Sequence, residues 1–388
     1  MDVKKISDKN AFIFSLKFAP GLKKEFMVLG ENLRRKGFKV FYLIVQSYSH
    51  IEENVDGIKY LPVKDGAKGL ILDYFNLTLL NSIFNTFRKN PPSFVLFYNP
   101  HPLNPKIAKA IKKEFPRTIL SLYLHDPYKP DKSPYGLKKG LYIRTAECVQ
   151  ALTVKYMDIV ISPSEYSATL FKKRFPNFKG KNYIAPLLIP DQKVNPDKER
   201  RYFSIVGGAH PATGHDTFIE LVNYCAEKNL DYRFCLISSS KINGFLRDLT
   251  EKGKRVLKVI NKPIIKDSEI NEVISESLAV FRLDREVTQS GVIPACFMNS
   301  TPVIARDIEG LRQHIRHKEN GYLIPFDSKP EDIIKAMDFV KQNFILLSKN
   351  ARKSYEEIFA EWNFDKYYGW LMQLLGNAQG AMRDSRES

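Results

Sequence analysis

The sequence predicts an α/β protein built of two Rossmann-like doubly wound halves facing a cleft, and three observations carry that prediction. Short apolar runs alternate with helical stretches through the first half of the 388 residues. Residues 191–201 (DQKVNPDKERR) then break the pattern with the polar composition of a linker. The same alternation restarts after it. Short apolar strands separated by helices imply a parallel sheet covered on both faces. Ligands of such sheets bind beyond the carboxyl ends of the strands, which makes the cleft the expected site.

In the first half, residues 11–18 (AFIFSLKF) have strand character and a Pro20-Gly21 turn follows. Residues 23–36 read as a helix with Phe26, Leu29 and Leu33 on one face, stopped by Gly37. Residues 39–45 (KVFYLIV), 93–98 (SFVLFY), 118–124 (TILSLYL) and 159–162 (IVIS) read as further strands. In the second half, strands are expected at 202–206, 232–238, 278–283 and 302–305, and helices at 216–228, 268–276, 291–298 and 331–343. The domain organisation expected is 1–195 for a basic first domain, 196–360 for a second, 361–376 for a helix crossing back to the first, and 377–388 for a flexible tail.

The net charge of +17 is unevenly placed: residues 1–195 hold 32 lysines and arginines against 16 aspartates and glutamates. A basic face attracts an anionic membrane surface or a phosphorylated lipid, although the same charge also fits a solvated lysine-rich surface. Nucleic acid is not expected, because no binding motif accompanies the charge. The N-terminus lacks a signal-peptide pattern, and no run reaches the roughly 18 apolar residues of a membrane span. A cytoplasmic protein is expected, with peripheral attachment at the inner face of the plasma membrane as an option. The four scattered cysteines (Cys148, Cys225, Cys235, Cys296) read as buried thiols.

Three segments can carry chemistry. Residues 203–221 (FSIVGGAHPATGHDTFIEL) run from a strand through a glycine loop into a helix. There Gly207 and Gly208 let backbone N–H groups approach a phosphate. Residues 282–305 (RLDREVTQSGVIPACFMNSTPVIA) place Arg282 and Arg285 ahead of a helix opened by Ser290 and Gly291. Two guanidinium groups and helix N–H groups together suit a diphosphate. Residues 120–127 (LSLYLHDP) end a buried strand with His125 and Asp126, a polar pair suited to a sugar hydroxyl or to proton transfer. Each also has a plain structural reading, as an ordinary strand–glycine–helix turn, a pair of surface arginines, or a hydrogen-bonded strand end. His314 and His317 lack the carboxylate or cysteine set of a metal site, and no Asp-x-Asp pair occurs, so no metal is expected.

Taken together, these segments resemble retaining glycosyltransferases of the GT-B fold, specifically glycosyltransferase family 4. The likeness spans nearly the whole chain. Residues 15–22 (SLKFAPGL) look like the family's first strand and glycine loop, with Gly21 facing donor and acceptor. His125-Asp126-Pro127 resembles its interdomain histidine motif, and residues 161–165 (ISPSE) and 183–190 (YIAPLLIP) are similar to later segments of the first domain. Ile205-Val206-Gly207-Gly208 stands where the donor domain opens. Residues 290–304, 307–314 and 320–325 (NGYLIP) are the most specific stretch, and 362–370 is similar to the final crossover helix.

The chain departs from the family pattern at four places. An arginine after the first donor-domain glycine and a lysine before the second are replaced by Gly208 and Thr213. The Glu-x7-Glu pair falls on Val287 and Ala295. By the resemblance, Glu286 substitutes for the first glutamate, and Arg282, Arg285 or His210 for the missing cations. What the resemblance implies is a glycosyltransferase with His125, Asp126 and Glu286 as catalytic residues. Its donor site would be Gly21, Gly207, Gly208, His210, Thr213, Arg282, Arg285, Ser290 and Gly291. The donor implied is a nucleoside-diphosphate sugar, with no cofactor and no metal. The acceptor implied is a glycan or polyprenyl-linked saccharide in bacterial surface polysaccharide synthesis. A non-catalytic GT-B relative serving as a partner subunit, and a sugar-nucleotide epimerase of related fold, are the rival readings.

Overall fold

The computed structural model describes residues 9–17, 23–50, 56–63, 73–194 and 198–384. They form two compact units. The first takes in Met1–Tyr128, Leu141–Leu188 and Trp362–Ser388, the second Lys129–Gly140 and Ile189–Glu361.

The first unit is built on a seven-stranded parallel sheet. Its strands are β1 (Asn10–Ser15), β2 (Lys39–Val45), β3 (Ile58–Leu61), β4 (Phe94–Phe97), β5 (Ile119–Tyr123), β6 (Ile159–Ser162) and β7 (Lys181–Ile184), in the order β3-β2-β1-β4-β5-β6-β7. All of β1, β4 and β6 is buried, as expected of strands covered on both faces. Phe12 stacks on Phe41 and meets Phe87 edge-on from the helix Leu77–Lys89. The last helix, Phe364–Asp384, belongs to this unit and continues past the end expected at residue 376. Its Phe364, Tyr368 and Leu371 enter the core, and Trp370 stacks on Tyr183 with ring centroids 3.8 Å apart.

The second unit repeats the plan with six parallel strands: β8 (Tyr202–Val206), β9 (Arg233–Ser238), β10 (Leu257–Asn261), β11 (Ser277–Arg282), β12 (Val303–Arg306) and β13 (Gly321–Ile324). Their order is β10-β9-β8-β11-β12-β13. Side chains alternate across the sheet, so two apolar layers form. Phe203, Ile205, Phe234, Leu236 and Phe281 pack on one face. Cys235, Ile237, Val280, Val303 and Ala305 pack on the other. Both sheets reverse strand order beside their first strand, between β1 and β4 and between β8 and β11, and such switch points are where these folds hold ligands.

The strands absent from the sequence reading are β3, β7, β10 and β13, the four sheet edges. Of these, β7 and β10 carry exposed lysines, which dilute their apolar signal (KNYI, LKVIN) and discourage edge-to-edge association. Cys225, Cys235 and Cys296 are buried thiols, whereas Cys148, expected to be buried, is exposed on the helix Gly136–Val154.

Gly214 caps the turn between β8 and the helix His215–Glu227 at φ +69°, and a Cβ there would run into the Leu283 carbonyl. Gly214→Ala is therefore expected to cost roughly 2 kcal/mol or more in urea unfolding, from a left-handed backbone plus a backbone clash. Gly244→Ala, where a Cβ meets nothing within 4 Å, is the comparison and is expected to be close to neutral.

Candidate functional site

The second unit gathers polar groups at the carboxyl ends of β8 and β11. Strand pairing sets Phe281 beside Ile205, so the next residues, Arg282 and Val206, end their strands side by side. Arg282 Nη1 donates to the Val206 carbonyl at 3.4 Å. Gly207 follows with φ +111°, a conformation that suits glycine. The space a Cβ would fill is bounded by Val292 Cγ2 at 3.6 Å and Arg282 Nη1 at 3.9 Å. Val292 opens the helix Val292–Met298; Gly291 is its N-cap, and Ser290 Oγ accepts from the Val292 N–H at 3.3 Å. Gly207, Arg282, Ser290 and Gly291 thus share one corner. Gly208 is next along the chain, with Ser240 Oγ 3.6 Å from where its Cβ would lie.

The loop after Gly208 folds on its own polar groups. The Thr213 hydroxyl accepts from the His210 N–H at 3.0 Å and donates to the His210 carbonyl at 2.7 Å. It also meets His215 Nδ1 at 2.8 Å, and because its own proton is already committed, the imidazole donates. His215 is buried and its Nε2 has no hydrogen-bond partner. Burial drives both imidazoles down to about 4, and nearby cations add to it: Lys139, Lys129 and Arg282 for His210, Arg282 for His215. Both rings are neutral at physiological pH.

Four charged residues stand at or just beyond the end of β11: Arg282, Asp284, Arg285 and Glu286. Arg282 Nη2 pairs with Asp284 Oδ1 at 2.9 Å, and their side chains are 12% and 4% exposed. Burial raises the Asp284 carboxyl against the pull of Arg282. Arg285 turns the other way, forks onto both carboxylate oxygens of Asp216, and donates to the Pro211 carbonyl. Arg306, buried at the end of β12, donates to the Leu283 carbonyl at 2.9 Å and to Thr217 at 3.0 Å, which pins this loop. Glu286 accepts from the Tyr135 hydroxyl at 2.8 Å and pairs with Lys129 at 3.2 Å, its side chain 12% exposed. Lys129–Gly140 is thus a strap, interrupting first-unit sequence yet packed in the second unit. Its turn Ser133–Tyr135 lies against the turn Pro211–Thr213, with Tyr135 and His210 rings 5.6 Å apart.

His125 and Asp126 belong to the first unit. The His125 ring sits 4.8 Å from Tyr123 and 6.0 Å from Tyr98, and burial lowers it to about 4 although Asp126 opposes this. The Asp126 carbonyl accepts from Gln150 at 3.1 Å. Gly21 lies outside the described residues. At the first unit's own switch point, Asn99 Nδ2 donates to Ser15 Oγ at 2.9 Å. Nearby His101, 1% exposed, is held at about 4 by burial and by Lys17.

Residues 200–343 match the family model of glycosyl transferases group 1. The second unit is a glycosyl transferases group 1 domain. That match and the two parallel-sheet units place the chain among glycosyltransferases of the GT-B fold. The chain is similar in fold to sucrose-phosphate synthase from Thermosynechococcus elongatus, with a TM-score of 0.74 at 15% identity over 95% of this chain and 100% of that one. It is also similar to HepE from Anabaena, solved with UDP, with a TM-score of 0.68 at 13% identity over 94% and 99% of the two chains. The pneumococcal O-GlcNAc transferase GtfA, solved with UDP and GlcNAc, gives 0.69 at 10% identity over 96% and 99%. No curated protein sequence matches.

In this glycosyltransferase, sequence reasoning missed Asp284, His215, Arg306 and the strap residues Lys129, Tyr135 and Lys139. Asp284 had a signal, as the one acid between the two arginines of RLDR. The strap had none, because Tyr135 and Glu286 are 151 positions apart. Among the described residues, no three His, Cys, Asp or Glu side chains gather as a metal ion would require, and no helix is long and apolar enough to cross a membrane.

The buried histidines set a pH dependence. His101 and His215 are held at about 4, and unfolding returns each to its ordinary value near 6.5. As pH falls, the unfolded chain therefore takes up protons first. Stability is expected to be full above about pH 6.5 and to fall toward pH 4, by at most about 1.4 kcal/mol per pH unit for each histidine. Urea midpoints measured from pH 7.5 down to 4.5 check this. His215→Asn should show a shallower decline, and an unchanged slope would remove His215 from the account.

Proposed function

We propose that this glycosyltransferase moves a hexose-type sugar from a nucleoside-diphosphate sugar to a glycan or polyprenyl-linked saccharide, with retention and without a divalent ion. One observation carries the reading: the group 1 match falls on the unit whose switch point collects Gly207, Arg282 and the start of the helix Val292–Met298. HepE solved with UDP-glucose and GtfA solved with UDP and GlcNAc support the choice of donor class.

In this reading the diphosphate lies over Gly207, where the Val292 side chain and the Arg282 guanidinium border the space. Positive charge there stabilises the leaving group as the anomeric bond breaks, an electrostatic contribution that can reach several kcal/mol. Glu286, fixed by Lys129 and Tyr135, touches the transferred sugar. His125 is neutral, so it serves as a hydrogen-bond donor to a sugar hydroxyl and carries no charge of its own. Arg285 is committed to Asp216 and supports the loop. The basic first unit suits a phosphorylated lipid carrier, and such an acceptor fits assembly of a surface polysaccharide at the inner face of the plasma membrane.

Calorimetric titration with UDP, GDP and dTDP, followed by turnover with the matching sugar nucleotides, tests the reading. Binding of at least one diphosphate is expected. His125→Ala is expected to lower turnover by at least about tenfold, about 1.4 kcal/mol in the barrier. Failure of all three diphosphates to bind would favour a non-catalytic role. Co-sedimentation with vesicles is expected to need anionic lipid and to fade with added salt; equal binding to neutral vesicles would remove the membrane part of the proposal.

A further inference from the structure

The first unit buries an acid where a charge has no counterpart. A small cavity lies between the helix Lys23–Arg35 and the last helix, Phe364–Asp384. Glu25 lines it from the first helix and Phe364 and Tyr368 from the last, while Tyr98 and Tyr123 line it from the ends of β4 and β5. Glu25 is 5% exposed, and its Oε2 is buried without a hydrogen-bond partner. The rest of the wall is apolar, with Val28 and Leu29 from the same helix and Pro186 and Leu188 from beyond β7. Among the described residues that line the cavity, none is a lysine, arginine or histidine. Lys23 and Lys24 precede Glu25 on its helix but are not part of the wall.

We infer that Glu25 is a proton-operated latch between the first and last helices: its neutral form lets the last helix dock, and its ionisation releases that helix from the first unit. The inference does not depend on the reading of the second unit as a donor site.

Three arguments lead to it. An ionised carboxylate with no partner is too costly to bury, so the group keeps its proton or gains water. Burial accordingly pushes the Glu25 carboxyl well above its ordinary value of 4.5. The phenols of Tyr98, Tyr123 and Tyr368 are pushed up as well, chiefly by burial, which leaves Glu25 as the cavity group that titrates first as pH rises. Finally, one wall can yield and the others cannot. β4 and β5 are each paired on both sides within the sheet. The last helix is held by side chains: Phe364, Tyr368 and Leu371 in the core, Tyr368 hydrogen-bonded with Tyr123, and Trp370 on Tyr183. Its ion pair with the end of the first helix, Lys36 to Asp365 at 2.8 Å, is exposed and adds little. Lifting a terminal helix is a local opening, and it hydrates Glu25 without breaking the sheet.

The sign follows from linkage. The folded chain holds this proton to higher pH than the unfolded chain, so the stability it contributes is complete below about 4.5 and is lost as pH rises through the folded value. Trp362→Phe leaves Trp370 as the one tryptophan of the chain, a reporter of the docked helix. The test records Trp370 fluorescence, far-ultraviolet circular dichroism and urea midpoints of this full-length protein from about pH 5 to 9, short of the ordinary tyrosine and lysine values. Glu25→Gln and Glu25→Leu in the same background are the comparisons. Relative to them, the protein with Glu25 is expected to lose up to about tenfold in its folded-to-unfolded ratio per pH unit. Its Trp370 signal should change at a pH where the circular dichroism is still native, and both variants should hold a flat signal. The histidine effect toward acid pH is common to all three proteins and cancels. Parallel midpoints overturn the inference. So does a Glu25-dependent midpoint with Trp370 changing only on global unfolding. Should Glu25→Gln fold poorly, Glu25→Leu carries the comparison, and a pH-independent Trp370 signal in the protein with Glu25 overturns the latch whatever the variants do.

Discussion

The candidate site depends on one pairing: β8 lies parallel to β11 at the centre of the second sheet, although more than seventy residues separate them in the chain. Their register brings Val206 and Arg282 level, and everything else at this corner follows from it. An irregularity between Ser277 and Ala279 lets the two strands come into step before they end. From there Gly207 turns away with a positive φ, and the β11 loop passes under Gly214 so closely that a side chain at that glycine would collide with Leu283.

That corner is electrostatically expensive. Asp284 and Arg282 are both nearly removed from water, and a buried pair of this kind recovers only part of its desolvation cost. His215 Nε2, Arg282 Nε and Asp284 Oδ2 are buried without hydrogen-bond partners. Groups left unsatisfied in this way lower stability and are concentrated where a fold serves chemistry. The hydrophobic layers on either side of the sheet offset that cost, with Phe203, Phe234 and Phe281 packed together on one face.

The fold was legible because central parallel strands are apolar on both faces: β2, β6 and β8 coincide with the runs read from the sequence. Edge strands such as β7 and β10 were not, because solvent on one side dilutes the pattern with lysine and asparagine. At the site, glycines and arginines close together in sequence could be read as a group. Their pairing could not, and Arg285 shows why: its partner Asp216 lies on another element, and no local pattern distinguishes a guanidinium that faces a ligand from one that braces a helix. The strap is the extreme case. Nothing near Lys129 or Tyr135 in the chain hints that they meet Glu286, since that meeting is a property of tertiary folding alone.

The return of the last helix to the first unit has a consequence for biosynthesis. Phe364, Tyr368 and Leu371 complete a core whose other members, from Ala11 to Leu188, leave the ribosome long before them. At translation rates of roughly 5–20 residues per second, the nascent first unit waits on the order of ten seconds or more for its final helix. During that interval Tyr183 has no Trp370 to stack on, and the second unit can finish folding first. An N-terminal half lacking its terminal helix is then the natural substrate for chaperones, and the order of synthesis runs opposite to the order in which the two units become whole.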